Sequence, residues 1–361
     1  MRFRRSSMER IARIRERLQA EQADVFLISN PVNRRYITGF TGSAGLVWIS
    51  STKQALLTDF RYVEQVKAEC PGWELVRIET YSDTLEELIG QEGVRSIVFE
   101  EEYVTVKQLK EWQERFPSVE LKGSSGWVET LRMRKTPEEI ENIRRAAQIG
   151  DEAFAELLPT IKSGLTEQEI ALRLEFLMRE KGASAMSFAP IVGSGPQSAL
   201  PHARPGDRIL SYGDFVVFDF GCVWNGYCSD MTRTIVIGEP EEQHLLIYDL
   251  VLKAQMEALR AVAPGRTGAE IDAIAREIIS EAGYGDYFGH GLGHSLGLEV
   301  HENPRLSKVD NTVLEPGMIV TVEPGVYLPG FGGVRIEDLV VVTEDGHEVL
   351  TSTFKELYVV K

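Results

Sequence analysis

The sequence predicts a two-domain α/β (α+β) protein, with a small N-terminal α/β domain over residues 1–130 and a pseudo-two-fold domain over residues 131–361. Three observations lead there. At 361 residues the chain is longer than one core ordinarily fills. Its first third alternates amphipathic helical patterns with short apolar runs and ends in a glycine- and serine-rich segment. The remainder carries an internal repeat at a constant offset, each copy followed by histidines and then by a strand pair bearing two acids.

In the N-terminal part, Ile11, Ile14 and Leu18 mark one face of a helix, and residues 25–29, 46–50, 55–58 and 96–100 read as strands. Lys122-Gly123-Ser124-Ser125-Gly126 marks the boundary, and Lys135-Thr136-Pro137-Glu138-Glu139 opens the next domain with a helix. Thr136 caps it, Pro137 takes the first helical position and Glu139 closes a capping box. The repeat emerges when Gly164-Leu165-Thr166-Glu167-Gln168-Glu169-Ile170 is set against Gly265-Arg266-Thr267-Gly268-Ala269-Glu270-Ile271. Each opens an amphipathic helix that ends at a glycine, Gly182 or Gly283, and 265 − 164 and 283 − 182 both equal 101. The first copy is followed by His202 and then Asp219 and Asp230; the second is followed by His294 and His301 and then Glu323 and Glu337. Two similar halves should therefore meet with their acidic hairpins at the middle.

Residues 215–223 and 227–238 are strand-like runs joined by Asn225-Gly226, a two-residue hairpin signal. With those two residues as the loop, Asp219 pairs opposite Thr232, and Asp230 lies two residues along on the same face. Asp219 sits within Val216-Val217-Phe218-Asp219-Phe220, where an unpaired carboxylate would be costly, so metal ligation is favoured over a turn-stabilising role. The matching runs 319–327 and 333–342 deliver Glu323 and Glu337, with bends at Pro324-Gly325 and Pro329-Gly330. Arg335 shares a face with Glu337 and reads as a fork for a ligand carboxylate, the alternative being a cross-strand salt bridge.

Gly289-His290-Gly291-Leu292-Gly293-His294 is too rich in glycine for a helix, so His290 and His294 are not a helical zinc pair; the glycines instead permit close backbone approach to a crowded site. Asp219, Asp230, His294, Glu323 and Glu337 form an oxygen-rich set, too acidic to bury together unless cations neutralise it. Such hard donors suit Mn²⁺, Co²⁺, Fe²⁺ or Mg²⁺ and can serve two divalent ions only if some carboxylates are shared; Mn²⁺ or Co²⁺ is expected first, with Fe²⁺ or Zn²⁺ as alternatives. Metal-assisted hydrolysis is the chemistry this set would serve.

Composition narrows the partners. The hydrophobic share is 43%, with no uninterrupted apolar run of membrane-spanning length, so no membrane partner is expected. A formal charge of −16 would repel a phosphate backbone, which argues against nucleic acid. The basic start, Met1-Arg2-Phe3-Arg4-Arg5, leads into an amphipathic stretch and not into an apolar signal core. Cys70, Cys222 and Cys228 lack zinc-type spacing and read as reduced, buried thiols of a cytoplasmic protein.

These motifs resemble the metal-dependent pita-bread peptidases, which include Xaa-Pro dipeptidase (prolidase), aminopeptidase P and methionine aminopeptidase. The likeness lies in Ala199-Leu200-Pro201-His202, Asp219-Phe220-Gly221, the stretch from Gly226 to Thr234, Gly289 to His294, Val300-His301-Glu302, Glu323-Pro324-Gly325 and Arg335-Ile336-Glu337-Asp338, spread in order over residues 138–353. It implies an antiparallel sheet with flanking helices, and two metal ions bound by Asp219, Asp230, His294, Glu323 and Glu337. It further implies that His202 and His301 contact substrate, that His290 and Arg335 support the site, and that Glu323 also accepts a proton from the attacking water. Creatinase shares the fold but lacks the metal set and is disfavoured. Asn30 to Phe40 and Thr58-Asp59-Phe60-Arg61-Tyr62 are similar to the creatinase/prolidase-type amino-terminal domain, which methionine aminopeptidases generally lack. The expectation is a cytoplasmic, homodimeric Xaa-Pro dipeptidase acting on short proline-containing peptides. Aminopeptidase P, acting on longer peptides, is the second reading, and a non-enzymatic peptide-binding protein is a distant third.

Overall fold

The computed structural model describes residues 2–361, with side chains from Ser7 onward, so Met1 and the charged groups of the basic start lie outside the described residues. The chain divides into two compact units, Met1–Arg132 and Met133–Lys361. Among the described residues no helix is long and apolar enough to cross a membrane.

The first unit runs α1 (Arg2–Ala20), β1 (Val25–Ile28), α2 (Pro31–Thr38), β2 (Leu46–Ser50), β3 (Gln54–Thr58), α3 (Val63–Glu69), β4 (Glu74–Arg77), α4 (Tyr81–Glu92), β5 (Ser96–Glu100), α5 (Val106–Arg115), β6 (Glu120–Ser124) and α6 (Trp127–Arg132). Its strands form one mixed sheet in the order β4-β3-β2-β1-β5-β6. Trp48, Phe99, Trp112 and Phe116 are buried in its core. The four apolar runs legible in the sequence are β1, β2, β3 and β5. By contrast, Lys122-Gly123-Ser124 is strand and not linker: it pairs in parallel with β5, Gly123 facing Phe99. Edge strands β4 and β6 are polar and half-exposed, which removes the apolar signal by which a strand is read.

The second unit begins with α7 (Pro137–Leu157), α8 (Glu167–Glu180), β7 (Ala185–Met186), β8 (Ile191–Ser194), β9 (Phe215–Phe220), β10 (Cys222–Trp224), β11 (Tyr227–Cys228) and β12 (Met231–Ile237). A second series follows: α9 (Glu242–Ala261), α10 (Gly268–Glu281), β13 (Gly293–Ser295), β14 (Glu302–Leu306), β15 (Ile319–Val322), β16 (Gly325–Leu328), β17 (Gly332–Arg335), β18 (Asp338–Val342), β19 (His347–Val349) and β20 (Tyr358–Val360). The repeat is structural. Helices α8 and α10 are both 14 residues long, start 268 − 167 = 101 residues apart and carry capping boxes at Thr166 and Thr267. The helix pair α7/α8 packs through Ile149, Phe154, Ile170 and Leu174 against Val216, Phe218 and Phe220 of β9. The pair α9/α10 packs through Val251, Ala258, Ile271 and Ala275 against Val320, Val322 and Val340. In each half the helix pair takes one face of the strands and the acids lie on the other, which in the second half also packs Ile319, Leu339 and Val341 against Ile143 and Ala147 of α7.

Both hairpins have constant register. Asp219 faces Thr232 and Val223 faces Cys228, each pair summing to 451, around a loop in which Asn225 and Gly226 both have positive φ, 48° and 86°. Between β9 and β10, a Cβ on Gly221 would lie 1.8 Å from the Ser229 carbonyl oxygen, so only glycine lets the strands close there. In the second hairpin Ile319 faces Val341 and Gly325 faces Arg335, each summing to 660, which sets Glu323 opposite Glu337. The ladder is interrupted at that pair. The Glu323 amide donates to the Leu292 carbonyl at 2.8 Å, and the Glu337 amide donates to the Thr232 carbonyl at 3.1 Å, across to the first half.

Candidate metal centre

Strand alternation explains why these acids face one another. In β9, Val216, Phe218 and Phe220 face the helices, so Asp219 faces the opposite side of the sheet. Asp230, His294, Glu323 and Glu337 approach the same place from the residue just before β12, from β13 and from the interruption of the second hairpin. All five line one cavity of ≈ 900 Å³, together with His202, His290, His301 and Arg335. Asp230, His294 and Glu337, each buried, can present one ligand atom apiece with all three atoms within 4.8 Å of one another. Asp219 and Glu323 are less buried, on the cavity side.

The polar partners show what the site would accept. Thr232 Oγ1 donates to Glu337 Oε2 at 2.6 Å, and Thr321 Oγ1 donates to Glu323 Oε1 at 3.1 Å. The Arg335 guanidinium donates to Asp219 Oδ2 at 2.5 Å, to Thr232 Oγ1 at 3.1 Å, to the Pro201 carbonyl at 3.2 Å and to the Tyr327 hydroxyl at 2.8 Å. Among the described residues, Asp219 Oδ1, Asp230 Oδ1 and Glu337 Oε1 are buried carboxylate oxygens with no hydrogen-bond partner. Three such oxygens on residues lining one cavity are a strong departure from the rule that buried charge is paired.

His294 makes the same point. Its Nδ1 lies 3.1 Å from the Ser295 carbonyl, which requires a proton on Nδ1 and leaves the Nε2 lone pair free. Nε2 lies 3.3 Å from Glu323 Oε1 and 3.6 Å from Asp230 Oδ2. Burial and the neighbouring His301 hold the imidazole down at about 3, so the neutral ring points a lone pair at two carboxylates. A cation between them reconciles the three groups; the donor set therefore fits divalent metal, with hard oxygens and one imidazole.

Without that cation the acids resist ionisation. Burial raises Asp230 well above the carboxylate range, with Glu337, Asp219 and Glu323 adding repulsion. Burial likewise raises Glu337, reinforced by Glu323 and Asp219, and brings Glu323 to about 7 although Arg335 opposes the shift. Burial alone would lower Arg335, but Tyr327, Asp219 and Glu323 hold it firmly charged.

Sequence reasoning missed Tyr327. Its hydroxyl accepts from Arg335 and donates to His290 Nε2 at 2.8 Å, while His290 Nδ1 donates to the Gly291 carbonyl at 2.8 Å. Burial and the charge on Arg335 keep His290 neutral, at about 4, in this chain of hydrogen bonds. Arg335 itself differs from its reading as a fork for a ligand carboxylate. Four of its five N–H donors go to Asp219, Thr232, Pro201 and Tyr327, so it braces the site from within the protein. His202 and His301 are exposed on the cavity wall, and the His301 ring lies 4.5 Å from that of His294 in an edge-on contact.

A pseudo-two-fold α/β unit whose acidic hairpins converge on one cavity is the build of a pita-bread metallohydrolase. Residues 141–344 match Metallopeptidase family M24, and residues 10–134 match the Creatinase/Prolidase N-terminal domain. The Xaa-Pro dipeptidase of Pyrococcus furiosus is 40% identical over 358 residues, 97% of this chain and 99% of the relative. Among solved structures, an Xaa-Pro dipeptidase from Bacillus anthracis superposes with a TM-score of 0.95 at 45% identity, covering 98% of this chain and 99% of that one. An X-Pro aminopeptidase from Thermotoga maritima superposes at 0.89 with 40% identity, covering 94% and 98%. The chain belongs to metallopeptidase family M24; it is a peptidase, and that membership implies binding of divalent metal.

Proposed function

We propose that this peptidase hydrolyses the Xaa-Pro bond of short peptides, Xaa-Pro dipeptides first, with two divalent ions held by Asp219, Asp230, His294, Glu323 and Glu337. The observation that carries the reading is the trio of unpartnered buried oxygens, on Asp219, Asp230 and Glu337, beside a neutral His294 lone pair. When bound, the ions, Mn²⁺ or Co²⁺ first, would polarise the scissile carbonyl and generate the attacking hydroxide near neutral pH. Glu323, with Oε1 braced by Thr321, takes a proton from the attacking water and returns it to the prolyl nitrogen as that nitrogen leaves. The His202 and His301 rings line the cavity and donate to the carbonyl oxygen as it gains negative charge. Arg335 holds Asp219 in place, and His290 and Tyr327 hold Arg335.

The relatives named Xaa-Pro dipeptidase support the dipeptidase reading, and the Thermotoga maritima structure, named an X-Pro aminopeptidase, supports the second reading, an aminopeptidase acting on longer peptides. A dipeptide brings its free carboxylate into the cavity. With Arg335 committed to Asp219, Arg204 and Arg305 on the exposed wall are the guanidinium groups left to receive it. The test is cleavage of Xaa-Pro against Xaa-Pro-Zaa by protein supplied with Mn²⁺ or Co²⁺; failure on both refutes the proposal, and the ratio of kcat/KM values decides between dipeptidase and aminopeptidase. A cytoplasmic homodimer is proposed on the family resemblance, and light scattering and cell fractionation test its two parts.

A further inference from the structure

We propose that Glu167 is a positioning residue for His202, a clasp that closes the chain between Ser194 and Gly206; the inference rests on the reading of His202 as a substrate contact. Glu167, the first residue of α8, is wholly buried and lies outside the metal cavity. Its Oε1 accepts from the Ser194 amide and from Ser194 Oγ, both at 2.7 Å, and its Oε2 accepts from the Gly206 amide at 3.2 Å. One carboxylate therefore joins the two ends of the segment that carries His202. The backbone reinforces the join, with the Glu167 amide donating to the Arg208 carbonyl and the Gln168 amide to the Gly206 carbonyl, both at 3.1 Å. The buried charge is tolerated because it sits at the N-terminus of a 14-residue helix and because Arg208 donates to Ser194 Oγ at 2.6 Å.

The clasp matters because of what it encloses. Among the described residues no hydrogen bond holds the His202 ring, so its hydrogen-bonded restraint comes through the backbone of its segment. That backbone is also tied to the site, since the Pro201 carbonyl accepts from Arg335 and Ser198 Oγ accepts from the Gly333 amide at 2.8 Å. The second half uses a comparable device. Asp272 of α10, buried, accepts from the Leu292 amide at 3.0 Å and pairs with Arg276, which donates to the Phe288 and His290 carbonyls. In each half an acid on the repeated helix restrains the segment that brings a histidine to the cavity.

Glu167→Gln tests this with almost no change of volume. An amide oriented to accept from Ser194 turns its NH2 group against the Gly206 N–H, so one arm opens. Hydrogen exchange on the full chain should show faster exchange across residues 195–206, with β9 and β12 unchanged. On Xaa-Pro dipeptides kcat/KM should fall about 10- to 100-fold, as for a reacting group displaced from a distance. In a His202→Ala background the same substitution should cost almost nothing, because the residue it positions is gone. An unchanged exchange rate in the segment, or an equal loss in both backgrounds, overturns the proposal. Glu167→Asp, which keeps the charge but is too short for both arms, should repeat the exchange result if Glu167→Gln does not fold. Wild-type protein inactive on every Xaa-Pro peptide would defeat the proposed function, while the exchange comparison would still decide the clasp.

Discussion

Thr232→Val isolates the support that one half of the fold gives to a metal ligand of the other. The Thr232 hydroxyl, fully buried, donates to Glu337 Oε2 at 2.6 Å and accepts from Arg335 Nε at 3.1 Å. Valine keeps the shape and removes both bonds. A hydrogen bond to a charged group contributes about 1.5–3 kcal/mol, which converts to about 10- to 150-fold in Kd. Glu337 would then face a metal with neither oxygen held, so the Kd for Mn²⁺ should rise by about that factor, measured by calorimetric titration of chelator-treated protein. Thr234→Val is the matched control. Thr234 is equally enclosed and also bonds to Arg335, but only to its backbone, at 2.9 and 3.1 Å, and it touches no carboxylate. It should lower thermal stability to a similar degree and leave Kd unchanged. Equal Kd changes in the two variants, or no change in Thr232→Val, would refute the reasoning.

His294→Ala should abolish peptidase activity and reduce bound metal, as read by elemental analysis, because it removes the one nitrogen donor of the set. Arg305→Ala should raise KM for Xaa-Pro dipeptides at least about tenfold, the loss expected for a charge-assisted hydrogen bond, and change KM for Xaa-Pro-Zaa tripeptides little; equal effects on both would show that Arg305 does not read the terminal carboxylate. Gly221→Ala should prevent stable folding, since its Cβ would overlap the Ser229 carbonyl oxygen, which circular dichroism and soluble yield would report. In metal-free protein the raised carboxyls of Asp230 and Glu337, and Glu323 at about 7, bind more protons folded than unfolded, so their contribution to stability is lost as pH rises through those folded values. His290 and His294, depressed to about 4 and about 3, act with the opposite sign, and their gain is complete once the unfolded imidazoles have titrated near 6.5. Metal-free protein should therefore lose Tm as pH rises from about 6.5, where the opposing histidine gain is complete, through about 7, where Glu323 titrates, and saturating Mn²⁺ should remove that loss, as scanning calorimetry at fixed ionic strength would show.

The parts of the fold legible in the sequence are those with a local signature. Asn225-Gly226 sets a register that carries Asp219 opposite Thr232, and the capping boxes at Thr166 and Thr267 mark the two halves without any knowledge of their packing. The edge strands β4 and β6 carry no such signature, because their pattern is polar and their pairing partner lies elsewhere in the chain. The supports of the site are hidden for the same reason. Thr232 to Glu337 spans 105 residues and Arg335 to Asp219 spans 116, so no window of sequence contains both partners. Tyr327 lies close in sequence to Arg335, yet it reads as an ordinary strand aromatic until its hydroxyl is seen between Arg335 and His290.

The two halves share a plan but not a chemistry, and register accounts for the difference. In the first hairpin the sum of 451 places threonine opposite Asp219, so its aspartates are staggered and never directly opposed. In the second hairpin the sum of 660 places Glu323 and Glu337 face to face, where like charges on opposed strand positions repel. Aspartates at those positions would be held close to one another by their short side chains. Glutamates can splay, and these do: Glu323 turns to Thr321 on its own strand, while Glu337 reaches across to Thr232 of the other half. The backbone yields as well, each glutamate amide leaving the hairpin ladder for a carbonyl elsewhere. The longer acids, the broken ladder and the bond between halves are thus one response to a single opposed pair, and that response leaves Glu337 Oε1 buried without a partner in a carboxylate that shares a ligand cluster with Asp230 and His294.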